Sequence, residues 1–188
     1  MLRKKKSSRD GKTDLEILFL GLEGSGKTLL VRRLKEILSA KSGGKRAAAA
    51  AEAAGFSTNV VPTIGVNVDT VKVKGQRCFT LREVGGAMKP LWKTYLDACT
   101  GVVFCIDLSD DSSFATASVE LMTLASSKAL EGKPLLAIFT KTDAPFTMSR
   151  AQVGNMVSSW KATNIQSFAL SAYTGDGCRD LASAVRSL

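Results

Sequence analysis

Short apolar runs alternate with longer amphipathic segments along most of this chain. Residues 101–108 (GVVFCIDL) and 133–143 (KPLLAIFTKTD) contain runs of consecutive apolar positions, which are typical of parallel strands buried on both faces. Residues 66–73 and 77–84 flank a Lys-Gly-Gln turn and predict a hairpin. Further strands are expected at 15–20 and 165–172, and helices at 27–38, 112–130, 149–163 and 176–188. The pattern predicts an α/β fold: a mostly parallel six-stranded sheet with one antiparallel strand and helices on both faces.

One folded domain with a charged tail is the organisation that the sequence suggests. A chain of 188 residues has the length of a single domain, and 45% apolar with 23% charged residues is typical of globular proteins. Residues 1–13 are rich in Lys and Arg and predict a flexible basic tail, whereas residues 14–188 predict the domain. Residues 39–59 (SAKSGGKRAAAAAEAAGFSTN) form a low-complexity insert with little to bury, so we expect a mobile loop there.

Composition excludes several kinds of chemistry. The chain has no histidine, so Ser-His and Cys-His nucleophilic catalysis are excluded. Its four cysteines form no C-x-x-C pair, which argues against a zinc site and predicts reduced core thiols. No apolar run approaches the roughly 20 residues of a membrane-spanning helix, so we expect a cytoplasmic protein. The net charge of +9 favours anionic partners, and from the tail we expect only a weak contact with an anionic membrane.

A glycine-rich segment lies between the first strand and the first helix. The residues GLEGSGKT fit the pattern G-x-x-x-x-G-K-[ST] at Gly21, Gly26, Lys27 and Thr28. Glycines let successive backbone N–H groups surround an anion, and the helix N-terminus adds partial positive charge. The lysine neutralises β- and γ-phosphates, and the threonine hydroxyl is a ligand for Mg²⁺. The segment therefore predicts a nucleoside triphosphate site.

Two further segments are expected to reach the phosphates and the metal. In VPTIGVNVD, the side chain of Thr63 can contact both Mg²⁺ and the γ-phosphate. After the second strand of the hairpin, EVGG places Glu83 near the water shell of the metal and offers the backbone N–H of Gly86 to the γ-phosphate. Each fragment is weak evidence alone, but all follow strand ends in the expected order, where ligands bind in parallel sheets.

Two segments after the last strands predict recognition of guanine. In TKTD, the Asp143 carboxylate can accept hydrogen bonds from guanine N1–H and the 2-amino group, which adenine does not offer. Lys141 can lay its aliphatic stem along the base plane. In SAYTGDG, the N–H of Ala172 can donate to guanine O6. The base is therefore predicted to be guanine.

Taken together, these motifs resemble those of the small GTPases. GLEGSGKT, VPTIGVNVD, VGGAMKPLWKTYLDACTGVVFCID and SAYTGDG resemble the ADP-ribosylation factor (Arf-like) branch, and the PLW..Y segment after the double glycine is diagnostic of it. The resemblance covers about residues 14 to 188. It implies a P-loop small G-domain that binds GTP or GDP with Mg²⁺.

The resemblance also implies roles for individual residues. Metal ligation would involve Thr28, Thr63 and Glu83. The implied nucleotide-binding residues are Glu23, Gly24, Ser25, Gly26, Lys27, Thr28, Leu29, Thr63, Gly86, Thr140, Lys141, Asp143, Ser171, Ala172 and Tyr173. The segments around Thr63 and Gly86 would be two switches, ordered by the γ-phosphate, that recruit effector proteins. An exchange factor, an activating protein, a monomeric state and a role in intracellular or ciliary membrane traffic are further implications.

Four positions depart from the family pattern. Ala87 stands at the place of the glutamine that orients the attacking water, so no catalytic residue is assigned and intrinsic hydrolysis should be very slow. Glu83 replaces an aspartate, which puts the affinity for Mg²⁺ in doubt. Thr140 replaces an asparagine and should weaken the tie between the guanine loop and the P-loop. Arg82 replaces a tryptophan, which should alter partner recognition.

Two functional hypotheses stay open at this point. The first is a GTP-dependent switch with weak intrinsic hydrolysis, and the second is a GTP-loaded binding module without appreciable hydrolysis, which Ala87 favours. A P-loop phosphotransferase is disfavoured because the chain shows neither an arginine-rich lid nor a base for an acceptor. Nucleic-acid binding is disfavoured because the basic tail lacks interleaved aromatic residues.

Overall fold

The computed structural model describes residues 14–39, 60–73, 78–145, 149–160 and 165–188. The predicted basic tail, the turn of the predicted hairpin and residues 40–59 of the predicted insert lie outside these ranges. The first residue of the predicted insert, Ser39, belongs instead to the end of the first helix.

A single six-stranded sheet forms the centre of the described fold. The strands are β1 Leu15–Gly21, β2 Val66–Lys72, β3 Cys78–Val84, β4 Gly101–Asp107, β5 Leu135–Thr140 and β6 Ile165–Ala169. Their order across the sheet is β2-β3-β1-β4-β5-β6. The pairing of β2 with β3 is antiparallel and every other pairing is parallel, which confirms the predicted sheet. In β1, Ile17 pairs with Leu81 on one side and Gly101 on the other.

Helices connect the strands. They are α1 Lys27–Ser39, α2 Trp92–Leu96, α3 Asp111–Ala125, α4 Arg150–Ser159 and α5 Cys178–Arg186. The N-terminus of α3 is capped by Asp110, whose carboxylate accepts from the N–H groups of Ser112 (3.0 Å) and Ser113 (3.3 Å). Ser149 and Gln152 form a capping box at the start of α4. Local sequence thus sets where these helices begin.

Sequence patterns did not predict two of the helical segments, and they gave one helix the wrong length. A 3-10 helix Gly86–Leu91 and the short helix α2 follow β3. The predicted helix at 112–130 is shorter, because α3 ends at Ala125 and a separate 3-10 turn covers Lys128–Leu130. Both 3-10 segments are only one or two turns long, so they carry too few residues for a detectable helical period.

The sheet separates two apolar cores, and alternate residues of β1 enter opposite ones. Ile17 and Phe19 pack toward α1 and α5, whereas Leu18 and Leu20 pack toward α2, α3 and α4. Helices therefore cover both faces, as predicted. In the second core, Trp92 meets Phe104 edge-on, with ring centroids 5.9 Å apart.

The four cysteines are free thiols, three of them buried, as the composition predicts. Burial raises the pKa of the Cys105 thiol to about 12 and that of Cys178 to about 11, which makes both inert at neutral pH. Within the described residues, no helix is long and apolar enough to cross a membrane.

Candidate functional site

Five parallel strands end at the same edge of the sheet, and the loops that follow β1, β3, β5 and β6 meet there. Between β1 and α1, Gly24 and Gly26 have φ angles of +74° and +80°. Glycine adopts this left-handed conformation without steric cost. Within the described part of the chain, the N–H groups of both glycines donate to no backbone carbonyl. They are available for phosphate oxygen atoms at the N-terminus of α1.

Lys27 is a buried cation in this loop, with 5% of its surface exposed. Its Nζ donates to the carbonyls of Gly21 (3.0 Å) and Leu22 (2.8 Å) and to Ser25 Oγ (3.3 Å). In the ranges that the structure describes, it forms no ion pair with a carboxylate. Burial lowers the pKa of Lys27, and the nearby charge of Glu83 offsets this only in part. A buried ammonium without an anionic partner is costly, so this site favours binding of an anion.

The three side chains predicted to bind the metal converge. Glu83 Oε1 accepts from the hydroxyls of Thr28 and Thr63, the latter at 3.2 Å, and the two hydroxyl oxygens lie 3.0 Å apart. Asn67, which pairs with Glu83 across β2 and β3, approaches Oε2 at 3.4 Å. Adjacent ligands of an octahedral Mg²⁺ ion at about 2.1 Å are about 3 Å apart, so the two hydroxyls have suitable spacing.

The donor set also suits the chemistry of Mg²⁺. The ion prefers oxygen ligands and is usually held by one or two carboxylates together with substrate phosphates and water. Glu83 is 98% buried and supplies the carboxylate. The described residues contain no group of three or more histidine, cysteine, aspartate or glutamate side chains that could hold a metal ion. Phosphate oxygens and water would therefore complete the coordination of an ion held here. The residues present therefore fit Mg²⁺, although their ligand role stays a prediction.

The two predicted switch segments contact each other and the P-loop. The N–H of Gly85 donates to the carbonyl of Gly65 at 2.9 Å. A Cβ on Gly86 would lie 2.2 Å from the backbone nitrogen of Glu23, so this glycine packs directly against the P-loop. The backbone of Thr63 packs equally closely against Gly85, since a Cβ on Gly85 would lie 2.2 Å from the carbonyl oxygen of Thr63.

A cavity of about 390 Å³ lies between these segments. The predicted site residues that line it are Glu23, Gly24, Ser25, Gly26, Lys27, Thr28, Leu29, Thr63, Glu83, Gly86 and Lys141. We call these residues, except Lys141, the phosphate end of the site. Val60, Val61 and Pro62 complete the wall and were not predicted as site residues.

The first base loop, residues 140–143, follows β5. The Thr140 hydroxyl has one proton and two carbonyl acceptors, Ser25 at 3.0 Å and Ile106 at 3.1 Å. The hydrogen bond between the first base loop and the P-loop thus depends on a single hydroxyl donor, whereas an asparagine amide would offer two N–H donors. The Nζ of Lys141 pairs with the buried carboxylate of Asp107 at 2.6 Å. Its backbone adopts a left-handed conformation with φ +60°.

Asp143 and the second base loop, residues 171–173, lie outside the cavity lining. Asp143 is exposed, in a turn closed by the N–H of Ala144 and the carbonyl of Lys141 at 3.0 Å. Ala172 and Ser171 are buried, whereas 59% of Tyr173 is exposed. The N–H of Ala172 donates no hydrogen bond within the described residues. We call the two base loops together the base end of the site.

Sequence patterns missed three residues that support these loops. Asn67 lies between two valines in β2, where a polar residue is expected in an alternating strand, so it gave no signal. Asp107 is the last residue of an otherwise apolar strand, which was a usable signal. Arg33 lies on the buried face of α1 beside Leu30 and Leu34, and a charged residue in an apolar helix stripe was a second signal.

Two further departures from the family pattern lie near the second switch. Ala87 is exposed, and the 3-10 helix Gly86–Leu91 contains neither an amide nor a carboxylate side chain. Arg82 pairs with Glu16 at 2.6 Å, and its guanidinium carbon lies 5.5 Å from the centre of the Tyr95 ring. Arg82 therefore presents a charge, anchored from two sides, on the face of β3 that packs toward α2.

Comparisons with known proteins agree with this geometry. A model of the ADP-ribosylation factor family matches residues 1–187. The chain is 34% identical over 140 residues to human (Homo sapiens) ADP-ribosylation factor-like protein 16, over 74% of this chain and 66% of that relative's length. Its fold is similar to that of the Arl6 BBS3 small GTPase from Trypanosoma brucei, solved with the nucleotide analogue GppNp. The TM-score is 0.69 at 22% identity, covering 93% of this chain and 98% of that one.

Proposed function

The chain belongs to the ADP-ribosylation factor family of small GTPases, and from that premise we propose that it binds GTP and GDP with Mg²⁺ and acts as a molecular switch. The observation that carries the proposal is the buried ammonium of Lys27, which lies beside the glycine cradle and forms no ion pair with a carboxylate of the described residues. A phosphate in the cavity would supply the missing negative charge and accept from the N–H groups of Gly24 and Gly26.

Switching follows from the contacts of Thr63 and Gly86. Both line the cavity, and each belongs to a segment that also contacts the other switch. When bound, Mg²⁺ would neutralise negative charge on the phosphates. Thr28, Thr63 and Glu83 would hold it, with Glu83 also orienting the two hydroxyls. Loss of the γ-phosphate removes one anchor from both switches, so their exposed residues, such as Ile64, change position and effector affinity changes.

Family membership supports further parts of the proposal. The triphosphate form would recruit effector proteins through the two switches, in intracellular or ciliary membrane traffic. An exchange factor and an activating protein would set the fraction of GTP-bound protein. We propose a cytoplasmic monomer that touches membranes peripherally through the basic tail and does not bind nucleic acid. The charge of Arg82 would select effectors that differ from those bound by tryptophan-bearing relatives.

A guanine-selectivity measurement tests the core of this proposal. Competition against a fluorescent GDP should show GTP and GDP binding roughly 10³-fold tighter than ATP, because a site built around hydrogen bonds rejects an analogue that lacks them. Asp143→Asn should lower this preference by about 100-fold, since it removes a charged acceptor. Asp97→Asn, which changes an exposed aspartate outside the cavity lining, is the matched control. Equal affinities of the unaltered protein for ATP and GTP would defeat the guanine assignment.

The second candidate is a binding module that holds GTP without turnover, and the composition of Gly86–Leu91 favours it. No side chain of that 3-10 helix can orient a water molecule for attack on the γ-phosphate. Single-turnover phosphate release separates the two candidates, with Ala87→Gln measured alongside. Negligible release by the unaltered protein and acceleration in Ala87→Gln would support the binding module. Rapid release without the substitution would remove it.

A further inference from the structure

Arg33 is a buried arginine on the helix that starts at the P-loop, with 6% of its surface exposed. A buried guanidinium is costly unless its donors are satisfied, so its position calls for specific acceptors. In the part of the chain that the structure describes, Arg33 forms an ion pair with Glu36, whose carboxylate lies 3.7 Å from NH1 and whose side chain is 45% exposed. That long, partly solvated pair does not account for the burial of Arg33.

Two further donors of Arg33 reach the second base loop. Its Nε donates to the carbonyl of Ala172 at 3.1 Å, and NH2 donates to the carbonyl of Tyr173 at 2.8 Å. Two donors of one rigid, planar group thus hold two consecutive carbonyls. These residues are 139 and 140 positions apart from Arg33 in the sequence. The contact connects the P-loop helix to the base end directly.

These two bonds restrict the backbone that follows Ala172. Because peptide units are planar, fixing the Ala172 carbonyl also fixes the peptide that leads into Tyr173. On the other side, the Ser171 N–H donates to the carbonyl of Asp176 at 3.0 Å, and Ser171 Oγ accepts from the N–H of Thr174, also at 3.0 Å. The Ala172 N–H itself belongs to the peptide between Ser171 and Ala172, whose carbonyl accepts from Cys178 Sγ at 3.5 Å. Arg33 therefore positions Ala172 from the C-terminal side, and the Ala172 N–H lies between backbone groups that are held on both sides.

We propose that Arg33 is a positioning residue for base selectivity: it aims the Ala172 N–H at the purine O6 by holding the carbonyls of Ala172 and Tyr173. The proposal rests on the proposed guanine-nucleotide function and deepens it. The single proton of Thr140 leaves the first base loop with one shared tie to the P-loop. Arg33 supplies a second, independent connection between the phosphate and base ends.

Three diphosphates separate this role from a general structural one. Hypoxanthine in IDP keeps O6 and N1–H but lacks the 2-amino group, whereas adenine in ADP has an amino group in place of O6. Loss of the O6 contact should therefore lower GDP and IDP affinity equally and leave ADP unchanged. The GDP:ADP affinity ratio reports the O6 contact, and the GDP:IDP ratio reports the contact between Asp143 and the 2-amino group.

The variant Arg33→Met keeps an unbranched apolar stem and removes the donors. With competition against fluorescent GDP, we expect the GDP:ADP ratio to fall by about 10-fold, the effect of one lost hydrogen bond, while the GDP:IDP ratio stays constant. Arg33→Lys keeps the charge with a single donor group and should restore part of the ratio. If Arg33→Met does not fold, the same two ratios are compared between Arg33→Lys and the unaltered protein.

Arg186→Met is the matched control. Arg186 lies on α5, is exposed, and donates from NH2 to the carbonyl of Ile37 on α1 at 3.2 Å, so it ties α1 to another element without touching a base loop. Both ratios should stay constant in this variant. Equal changes of all three affinities in Arg33→Met, or a constant GDP:ADP ratio, would overturn the proposal while the guanine preference of the unaltered protein stands. Absence of that preference in the unaltered protein would overturn the proposed function and, with it, this inference.

Discussion

The phosphate end and the base end of the site are built in different ways. At the phosphate end, side chains from three separate segments, Thr28, Thr63 and Glu83, hydrogen-bond one another at the wall of the cavity. At the base end, the groups expected to hydrogen-bond with guanine are one exposed carboxylate and one backbone N–H. The backbone of the second base loop is held by the buried side chain of Arg33, which donates to the carbonyls of Ala172 and Tyr173.

This difference follows from what each part of a nucleotide requires. Phosphates carry concentrated charge, which calls for a cation, a metal and many donors close together. A base carries little charge and is distinguished by the direction of a few hydrogen bonds, which calls for accurately placed backbone. Substitutions at the phosphate end should therefore change affinity whichever base the nucleotide carries, whereas those at the base end should change base selectivity or release.

Lys27→Met should have the largest effect. The substitution removes the buried cation of the site. Because hydrogen bonds to charged groups contribute more than neutral ones, the affinities for GDP and ADP should both fall by about 100-fold. Equilibrium displacement of a fluorescent GDP measures both. Lys35→Met, on the exposed side of the same helix, should change neither. A change in the GDP:ADP ratio instead of a common loss would contradict the division between the two ends.

Glu83→Gln should weaken Mg²⁺ binding by roughly 30-fold, because groups that orient metal ligands typically contribute 10- to 100-fold. The rate of GDP release as a function of free Mg²⁺ gives the apparent affinity. Glu83→Asp tests the effect of the extra methylene. The shorter side chain no longer reaches both hydroxyls, so the free Mg²⁺ concentration at the midpoint of the GDP-release curve should shift. Unchanged midpoints in both variants would exclude Glu83 from the metal site.

Gly86→Ala should lower the affinity for a non-hydrolysable GTP analogue by about 10-fold relative to GDP, the typical cost of overpacking. The new Cβ would lie 2.2 Å from the Glu23 nitrogen, so the second switch must withdraw from the P-loop. Gly154→Ala, where a Cβ meets nothing within 4 Å, is the control and should leave binding unchanged. Equal loss for GDP and the analogue would show that Gly86 does not report the γ-phosphate.

Thr140→Asn should have the smallest effect, at the base end. An amide brings two donors for the two carbonyls that now share one proton, so GDP release should slow by about threefold. Stopped-flow displacement of fluorescent GDP measures the rate. Faster release would mean that Thr140 fits this buried position better than the amide.

Much of the fold and part of the site could be predicted from sequence because the signals are local. The apolar run of β4 and the glycine spacing after β1 each identify a structure within about ten residues. The 3-10 helix Gly86–Leu91 escaped prediction because it is short and contains a proline. The ion pair between Lys141 and Asp107 joins two strand ends, and no local pattern records it.

By itself, the sequence determined the order of the strands and helices, the antiparallel hairpin and the cradle before α1. Periodicity and glycine placement act over short distances and need no partner. Only the tertiary structure decided that Glu83 reaches both hydroxyls and that Arg33 reaches the base end. Such contacts depend on the packing of helices against the sheet, which sets distances between residues far apart in the chain.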